Sequence, residues 1–295
     1  MTTKTIGLLG GGQLGQMLCE AAGPLDIPIK ILDVGLSPAK MVNNREIQHL
    51  DGSFKDAEKI RELARQCDIL TVEIEHVDTE VLEEIAEKGV KMEDGSMKRV
   101  EVQPSWRTIR VIQDKFLQKK HLMDAGVRVA ESVDVASTPE ALESVGTKFG
   151  YPYMLKSCKD AYDGRGNFPV HSASSIPDAL SSLNNRGLYA EKWAEFRMEL
   201  AVMVVKTEDV TGEMGSTIAY PAVQTVHEDS ICKLVWAPAR GVEGKVLRRA
   251  QDLARKAVAS LWGKGVFGVE MFLMGEDELV VNEIVSLFLF VALIW

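Results

Sequence analysis

The sequence predicts an α/β protein in which a Rossmann-like domain with a parallel sheet precedes a mostly antiparallel α+β domain. Three observations predict this architecture. Apolar runs alternate with helical stretches up to about residue 110, a glycine-rich turn follows the first run, and short strand-like segments dominate after residue 150. The 295 residues, 46% of them hydrophobic, are enough for two cores. We therefore expect domains at 1–110 and 111–284, and a separate apolar tail at 285–295.

The composition limits the partners of the protein. A net charge of −9, with acidic residues spread along the chain, argues against general affinity for nucleic acid or anionic membranes. The four cysteines stand far apart, as is typical of a reducing compartment. No secretory signal is recognisable, and the closing run VSLFLFVALIW is shorter than the roughly 18 residues that span a bilayer. We expect a cytoplasmic protein without nucleic-acid or membrane partners.

The first domain begins with a predicted βαβ unit between Thr5 and Asp33. Its parts are the apolar run IGLL, a glycine turn, the helical stretch QLGQMLCEAAG and the second apolar run IKILD. The alternation continues with CDILTVEIEHV as a strand and DTEVLEEIAEKG as a helix. The segment KMEDGSMKRVEVQP is predicted to be a charged surface excursion that leads into a short strand.

The second domain begins with two predicted helices. RTIRVIQDKFLQKKHLMDAG is predicted to be one helix closed by Gly126, and TPEALESVGTKFG another, capped by Thr138 and followed by Gly150. The strands predicted after them are YPYMLKS, GNFPVHS, LYAEKWA, ELAVMVV, TIAYPAV and CKLVWAP. The helix VLRRAQDLARKAVASLW and the strand pair VFGVEMFL and ELVVNEI complete the domain.

The glycine turn is a candidate phosphate site. Gly10, Gly12 and Gly15 have the spacing of the dinucleotide-binding fingerprint, and Asp33 ends the next strand, where an acid would bind ribose. This pattern is compatible with NAD binding. The alternative is that the glycines only permit a tight turn between strand and helix.

A second candidate phosphate site follows the strand YMLKS. Lys156 ends that strand, and the glycine and arginine loop 162–167 comes directly after it. A fixed cation beside a loop of backbone N–H groups is suited to a polyphosphate. An ordinary hairpin turn is the alternative.

Three further segments carry candidate ligands. Glu191 and the main chain after it could meet an adenine edge, and Glu199 could accept from ribose hydroxyls, unless both are solvated surface carboxylates. A hairpin turning at 276–277 would pair Gly275 with Glu278 and set Glu270 opposite Glu283. Two like charges about 5 Å apart on apolar strands are unfavourable without a cation such as Mg²⁺ between them. A looser loop with another register is the alternative, since Glu-Asp is poor turn chemistry.

Taken in order, these segments resemble the ATP-grasp fold. More specifically, GLLGGGQLGQML, IRVIQDK, AYDGRGNF, YAEKWA, ELAVMVV, APAR, FGVEMF and VNEI resemble the carboxyaminoimidazole ribonucleotide synthetase family, above all the N-terminal part of the fungal bifunctional phosphoribosylaminoimidazole carboxylases. The resemblance covers residues 4–284. It implies a pre-ATP-grasp domain whose glycine loop faces the nucleotide substrate instead of NAD, followed by an ATP-grasp domain that is incomplete at its C-terminus.

The resemblance also implies a reaction and a set of site residues. In this family ATP phosphorylates bicarbonate, and the amine of aminoimidazole ribonucleotide captures the carboxyphosphate or the CO₂ released from it. The resemblance places the ATP phosphates at Lys115, Lys156 and the loop of Tyr162, Asp163, Gly164, Arg165, Gly166 and Asn167. It places adenine at Glu191, Lys192, Trp193 and Ala194, ribose at Glu199, and His227 near the nucleotide. It further places Mg²⁺ at Glu270 and Glu283, with Asn282 beside them, the transferred phosphoryl group at Arg240, and aminoimidazole ribonucleotide at Gly12, Gln13, Tyr162 and Asp163.

Several alternatives stay open from the sequence alone. The family continues after VNEI with a further substrate-binding segment, whereas this chain reads VSLFLFVALIW, so we expect impaired turnover. A catalytically silent chain that binds nucleotide is one alternative, and another ATP-grasp ligase is a second. An NAD oxidoreductase is the weakest, because no catalytic His or Tyr-Lys arrangement accompanies the glycine loop. The family further implies a homodimer.

Overall fold

The computed structural model describes residues 4–43, 46–159, 166–184, 186–208, 214–228 and 231–286. The strands are β1 Ile6–Leu9, β2 Ile29–Asp33, β3 Leu50–Asp51, β4 Ile69–Val72, β5 Val90–Lys91, β6 Met97–Lys98, β7 Glu101–Val102, β8 Ser132–Val135, β9 Tyr153–Ser157, β10 Asn167–Val170, β11 Leu188–Lys192, β12 Phe196–Glu208, β13 Met214–Ala219, β14 Val223–Glu228, β15 Ile231–Trp236, β16 Gly265–Met274 and β17 Leu279–Ser286. The helices are α1 Gln13–Ala22, α2 Pro38–Val42, α3 Ala57–Arg65, α4 Thr79–Lys88, α5 Trp106–Gln113, α6 Lys115–Asp124, α7 Pro139–Phe149, α8 Ile176–Ser182 and α9 Gly244–Ala259.

The N-terminal part is built on a parallel sheet with the strand order β3-β2-β1-β4-β7. Strand β1 pairs with β2 and β4 in parallel, which confirms the predicted βαβ unit. The strands are apolar on both faces because helices cover both: Leu8 packs in the core with α1 and α2, whereas Leu9 packs in the core with α3, α4 and α5. The charged excursion forms the small hairpin β5–β6 before β7.

The rest of the described chain forms two antiparallel sheets, as the fold prediction requires. One has the order β10-β9-β11-β8, and the other has the order β15-β14-β12-β16-β17, with β13 also paired to β12. One face of the smaller sheet packs on α7 and α8, and one face of the larger sheet packs on α9. Because side chains alternate along a strand, the candidate polar residues on these strands lie on the sheet faces that do not pack on α7, α8 and α9.

The helix predicted to end at Gly126 is two helices, so that prediction is wrong. The break is at Asp114, whose backbone is extended and whose carboxylate accepts from Leu117 N at 3.0 Å. Asp114 is therefore the N-cap of a new helix, because its side chain replaces the partner that the first turn lacks. Lys115 N donates to Cys158 O at 2.8 Å, which ties the start of α6 to the end of β9.

Other local predictions have mixed outcomes. Thr138 caps α7 by accepting from Ala141 N, and Gly150 follows it at φ +80°, both as expected. The predicted strand TIAYPAV is wrong, since it divides into β13 and β14 around Pro221, which has no N–H for the ladder. Helix α8 and strand β8 were not predicted. None of the helices in the described chain is both long and apolar enough to cross a membrane.

Candidate functional site

Helix α6 connects the two antiparallel sheets. Its residues Lys115, Gln118 and Lys119 are spaced three and four apart, so their side chains leave one side of the helix. Lys115 Nζ lies 2.7 Å from Glu283 Oε2 on β17, and Lys119 Nζ lies 2.9 Å from Glu191 Oε1 on β11. The helix thus gathers charged groups of both sheets into one place.

Gln118 fixes the position of α6 on the larger sheet. Its amide nitrogen donates to Ile284 O and its amide oxygen accepts from Ile284 N, each at 2.7 Å. The residue is 1% exposed, so water does not compete for these bonds. Ile284 follows Glu283 directly, and the same contact therefore sets the distance between α6 and that carboxylate.

Replacing Gln118 with leucine is expected to lower the free energy of unfolding by about 2–4 kcal/mol, because two buried main-chain groups lose their partner. Urea denaturation measures the effect. Lys120→Gln, on the exposed side of the same helix, is the matched control and should stay within about 0.5 kcal/mol of the wild type. Equal stability of the leucine variant and the control would contradict the assigned role.

Glu191 is held between two lysines. Strands β9 and β11 pair Tyr189 with Lys156 and Glu191 with Met154, which puts Lys156 and Glu191 on one face. Glu191 Oε2 lies 2.9 Å from Lys156 Nζ, opposite the oxygen that faces Lys119. Burial would raise the pKa of Glu191, but the two ammonium groups outweigh it and lower the pKa to about 2. Its carboxylate is therefore an internal counter-ion, and only its main chain is left for an adenine edge.

The predicted pairing of Glu270 with Glu283 is confirmed, although the turn differs from the prediction. Residues 275–277 form a short 3₁₀ turn, and Leu273 pairs with Leu279, so the expected partner of Gly275 is wrong. The register shifts by one residue after Met271, where Asn282 is the extra residue of a β-bulge. The bulge offsets the longer turn, and the two glutamates come to lie opposite each other.

The two glutamates have opposite electrostatic environments. Burial would raise the pKa of Glu283, but Lys115 outweighs it and lowers the pKa. Among the described residues Glu270 forms no ion pair, and desolvation together with the charge of Glu283 outweighs the attraction of His227 and Lys115, so that its pKa is raised to about 7. A half-buried carboxylate facing another carboxylate would be stabilised by a cation. No cluster of three or more metal-binding side chains occurs in the described part of the chain.

Glu199 and His227 form a neighbouring pair on the larger sheet. His227 Nδ1 lies 2.5 Å from Glu199 Oε2, and this hydrogen bond raises the pKa of His227. Both side chains are 22% exposed, which leaves them accessible from the face that carries Glu270.

The other predicted adenine and phosphoryl residues are exposed. Lys192 Nζ lies 3.8 Å from Glu131 Oε2. The Trp193 ring is exposed and lies near the His171 ring, and Ala194, the next residue, is partly exposed. Arg240 rests on Trp236, with its guanidinium carbon 3.4 Å from the ring centroid. The structure gives Arg240 no contact with the lysine and glutamate groups around α6.

The predicted phosphate loop is only partly described. Tyr162, Asp163, Gly164 and Arg165 lie outside the described residues. At the edge of the loop, Gly166 has φ +117°, which favours glycine, and its carbonyl accepts from Ser157 N at 2.8 Å. The next residue, Asn167, pairs with Lys156 across β10 and β9.

The N–H groups of the glycine loop donate to internal carboxylates. Gly11 N donates to Asp33 at 2.8 Å, and Gly12, Leu14 and Gly15 donate to Glu73 at 2.5, 3.1 and 3.0 Å. A Cβ on Gly12 would lie 2.8 Å from Glu73 Oε1, so a side chain there would have to displace this carboxylate from the N–H groups it accepts from. These bonds occupy groups that would otherwise hold a pyrophosphate, which argues against NAD. Gln13 remains exposed.

Sequence reasoning missed three residues of this region. Glu73 could have been noticed as a carboxylate ending an apolar strand beside the glycine turn. Lys119 could have been noticed because it stands one helical turn after Lys115. Gln118 gave no signal, because only its partner on β17 reveals its role.

Two family descriptions match most of the chain. Residues 3–113 match the ribonucleotide synthetase preATP-grasp domain, and residues 120–286 match the ATP-grasp domain. The phosphoribosylaminoimidazole carboxylase of Ogataea methanolica is 52% identical over 286 residues, which are 96% of this chain and 50% of that protein. The chain spans about half the length of the curated relatives it matches.

Solved structures of similar proteins include two from Aspergillus clavatus. Carboxyaminoimidazole ribonucleotide synthase in complex with ATP is 52% identical with a TM-score of 0.88, and the match covers 96% of this chain and 69% of that one. N5-carboxyaminoimidazole synthase in complex with ADP and 5-aminoimidazole ribonucleotide is 51% identical with a TM-score of 0.87, and the match covers 96% and 70%.

Proposed function

Since the chain belongs to the N5-carboxyaminoimidazole ribonucleotide synthetase family of ATP-grasp proteins, we propose that it catalyses the ATP- and bicarbonate-dependent carboxylation of 5-aminoimidazole ribonucleotide in purine biosynthesis. The observation that carries the proposal is the arrangement around α6. There Lys115 lies 2.7 Å from Glu283, which faces Glu270, and Lys156 of the smaller sheet lies near enough to help lower the pKa of Glu283. Fixed cations beside paired carboxylates suit a polyphosphate and its metal.

In the proposed site ATP lies along the open faces of the two sheets. Lys115 and Lys156 bind its phosphates, and the proposal adds Tyr162, Asp163, Gly164 and Arg165, which lie outside the described residues, as further phosphate ligands. The main chain of Glu191 to Ala194 meets the adenine. Glu199 accepts from the ribose, and His227 holds Glu199 in place through their hydrogen bond. The remaining proposed contacts are Lys192, Trp193, Gly166, Asn167 and Asn282.

Magnesium is part of the proposal, and the residues fit it. Glu270 forms no ion pair among the described residues and faces Glu283, and two such carboxylates would suit Mg²⁺ that is held jointly with substrate phosphates. When bound, the metal would neutralise phosphate charge. Lys115 would remain on Glu283 and keep that carboxylate ionised.

The proposed chemistry is phosphoryl transfer followed by carboxyl transfer. A bicarbonate oxygen attacks the γ-phosphorus, the bond to ADP breaks, and carboxyphosphate forms; the substrate amine then attacks its carboxyl carbon, or the CO₂ released from it, and phosphate leaves. Positioning and charge stabilisation suffice for this reaction. Lys156 would stabilise the charge on the phosphates, and Arg240 would leave Trp236 to meet the transferred group. Gly12, Gln13 and the 162–163 segment would bind the ribonucleotide.

Cytoplasmic location and a homodimeric assembly are further parts of the proposal. Sedimentation of the purified chain would measure the assembly, and imaging of a tagged chain would locate it.

Phosphate release tests the function. The purified chain is given Mg-ATP and bicarbonate, with and without 5-aminoimidazole ribonucleotide, and is compared with Glu283→Ala. Glu278→Ala, at a half-exposed residue that pairs with Arg128 just before the same hairpin strand, is the control. Release that requires the ribonucleotide and is lost only in Glu283→Ala supports the proposal. ATP binding without release would overturn it in favour of a silent nucleotide-binding chain.

A further inference from the structure

Lys119 is a buried lysine that the proposed function leaves without a role. It is 1% exposed, and its ammonium forms an ion pair with Glu191 without the angles of a hydrogen bond. Burial lowers the pKa of Lys119 and Glu191 opposes that shift. Keeping such a group charged inside a protein carries a desolvation penalty, so its presence requires a reason.

Lys119, Glu191 and Lys156 are arranged in depth. Their side chains are 2%, 4% and 15% exposed, and the two oxygens of Glu191 lie 2.9 Å from one ammonium each, so the carboxylate stands between the more buried Lys119 at the back and the more exposed Lys156 at the front. Only Lys156 reaches the open face of the smaller sheet. A ligand on that face can meet the Lys156 ammonium, whereas Lys119 acts on it only through Glu191.

One lysine would be enough to neutralise Glu191. A second, deeper lysine adds a desolvation penalty, so stability alone does not call for it. Its effect is on charge: two cations and one anion leave a net positive charge of one, whereas Lys156 and Glu191 by themselves would be neutral. A neutral pair attracts phosphate less than a cation does.

We propose that Lys119 is a positioning residue which engages Glu191 from behind and so keeps the Lys156 ammonium available to the phosphates of the nucleotide. The inference rests on the proposed function, because it takes the phosphates to lie at Lys156. As phosphate oxygens draw Lys156 forward, Lys119 remains as the counter-ion of Glu191. The buried carboxylate is therefore never left unpaired.

Nucleotide competition tests the inference. ATP and AMP are titrated against a fluorescent ADP analogue bound to the full chain. Lys119→Met is expected to weaken ATP binding about tenfold or more while AMP changes less, because an interaction with a charged group is lost at the outer phosphates. Lys119→Arg keeps the charge and should retain the ATP preference. Lys120→Met, on the exposed side of α6, is the matched control.

A double variant separates charge balance from packing. Lys119→Met combined with Glu191→Gln removes both the back cation and the carboxylate, which frees Lys156 and should restore the ratio of ATP to AMP affinity. Lys119→Gln tests the same loss of charge with a side chain that can still donate to Glu191, in case the methionine variant does not fold.

The outcomes are distinct. Equal weakening of ATP and AMP, no weakening of either, or no recovery of the ratio in the double variant would overturn the role of Lys119. Failure of the wild-type chain to bind ATP would instead overturn the proposed function, and this inference with it.

Discussion

Replacing Glu191 with glutamine is expected to lower the free energy of unfolding by about 3–5 kcal/mol, because breaking a buried ionic group leaves uncompensated charge. Lys119 and Lys156 each lie 2.9 Å from one oxygen of this carboxylate. Without it two ammonium groups would repel each other where water barely enters. Chemical denaturation at neutral pH measures the loss. Glu195→Gln, at an exposed residue just beyond the same strand, is the control and should stay within about 0.5 kcal/mol.

The effect of Glu191 also has a pH dependence with a definite sign. Its pKa is lowered to about 2 in the folded protein, so the stability it contributes is present above the ordinary glutamate range and is lost as pH falls through about 2. The gap between wild type and Glu191→Gln should therefore be constant above pH ~5 and narrow in acid. If Glu191→Gln lowered the free energy of unfolding by less than about 1 kcal/mol, or if its difference from the wild type grew in acid, Glu191 would not be the centre of a buried ionic group.

The second large effect is a contrast between Glu270→Gln and Glu283→Gln in metal-free protein. Glu283 is paired with Lys115, so its replacement should destabilise the fold by about 1–3 kcal/mol. Glu270 has a pKa raised to about 7, so ionising it at pH ~8 costs stability, and Glu270→Gln should stabilise the fold by about 1–3 kcal/mol there. Two glutamates facing each other thus respond in opposite directions.

The sign of the pH effect follows from the raised pKa of Glu270. Its stabilising contribution is complete below the ordinary glutamate pKa and is lost as pH rises through about 7. The gain from Glu270→Gln should therefore be small at pH ~5 and largest above pH ~8. Denaturation in a chelating buffer at both values measures it. A destabilised Glu270→Gln variant at the higher pH would show that the carboxylate has a partner.

Although Glu270→Gln is expected to stabilise the metal-free fold, it should weaken the binding of Mg-ATP. If both carboxylates hold the metal, each glutamine variant should lose about tenfold or more in Mg-ATP affinity, with a smaller loss for metal-free ATP. Glu278→Gln, in the same hairpin, should bind Mg-ATP as the wild type does. Equal losses with and without Mg²⁺ would mean that the glutamates act on the nucleotide and not through a metal.

Local sequence patterns were sufficient for most strands and helices and for part of the candidate site, although they missed α8, β8 and the break at Asp114. The alternation of runs predicted the parallel sheet and the later antiparallel strands, and Thr138 and Gly150 marked the ends of α7. The prediction that Glu270 pairs with Glu283 is correct although the turn predicted for the hairpin is wrong. The actual turn shifts the register by one residue, and the bulge at Asn282 in β17 restores it. A strand register derived by counting residues in the sequence is reliable only where the backbone has no bulge or irregular turn.

The sequence by itself determined which residues are charged and, for most of the strands, where they run and which of their faces is polar, because these follow from neighbours along the chain. Only the tertiary structure determined which side chains contact each other. The break at Asp114 aims α6 at both sheets, Glu191 lies between two lysines from different elements, and Glu73 closes the glycine loop. Such contacts join residues about 35 to 170 positions apart, and their energies depend on burial, which no local pattern contains.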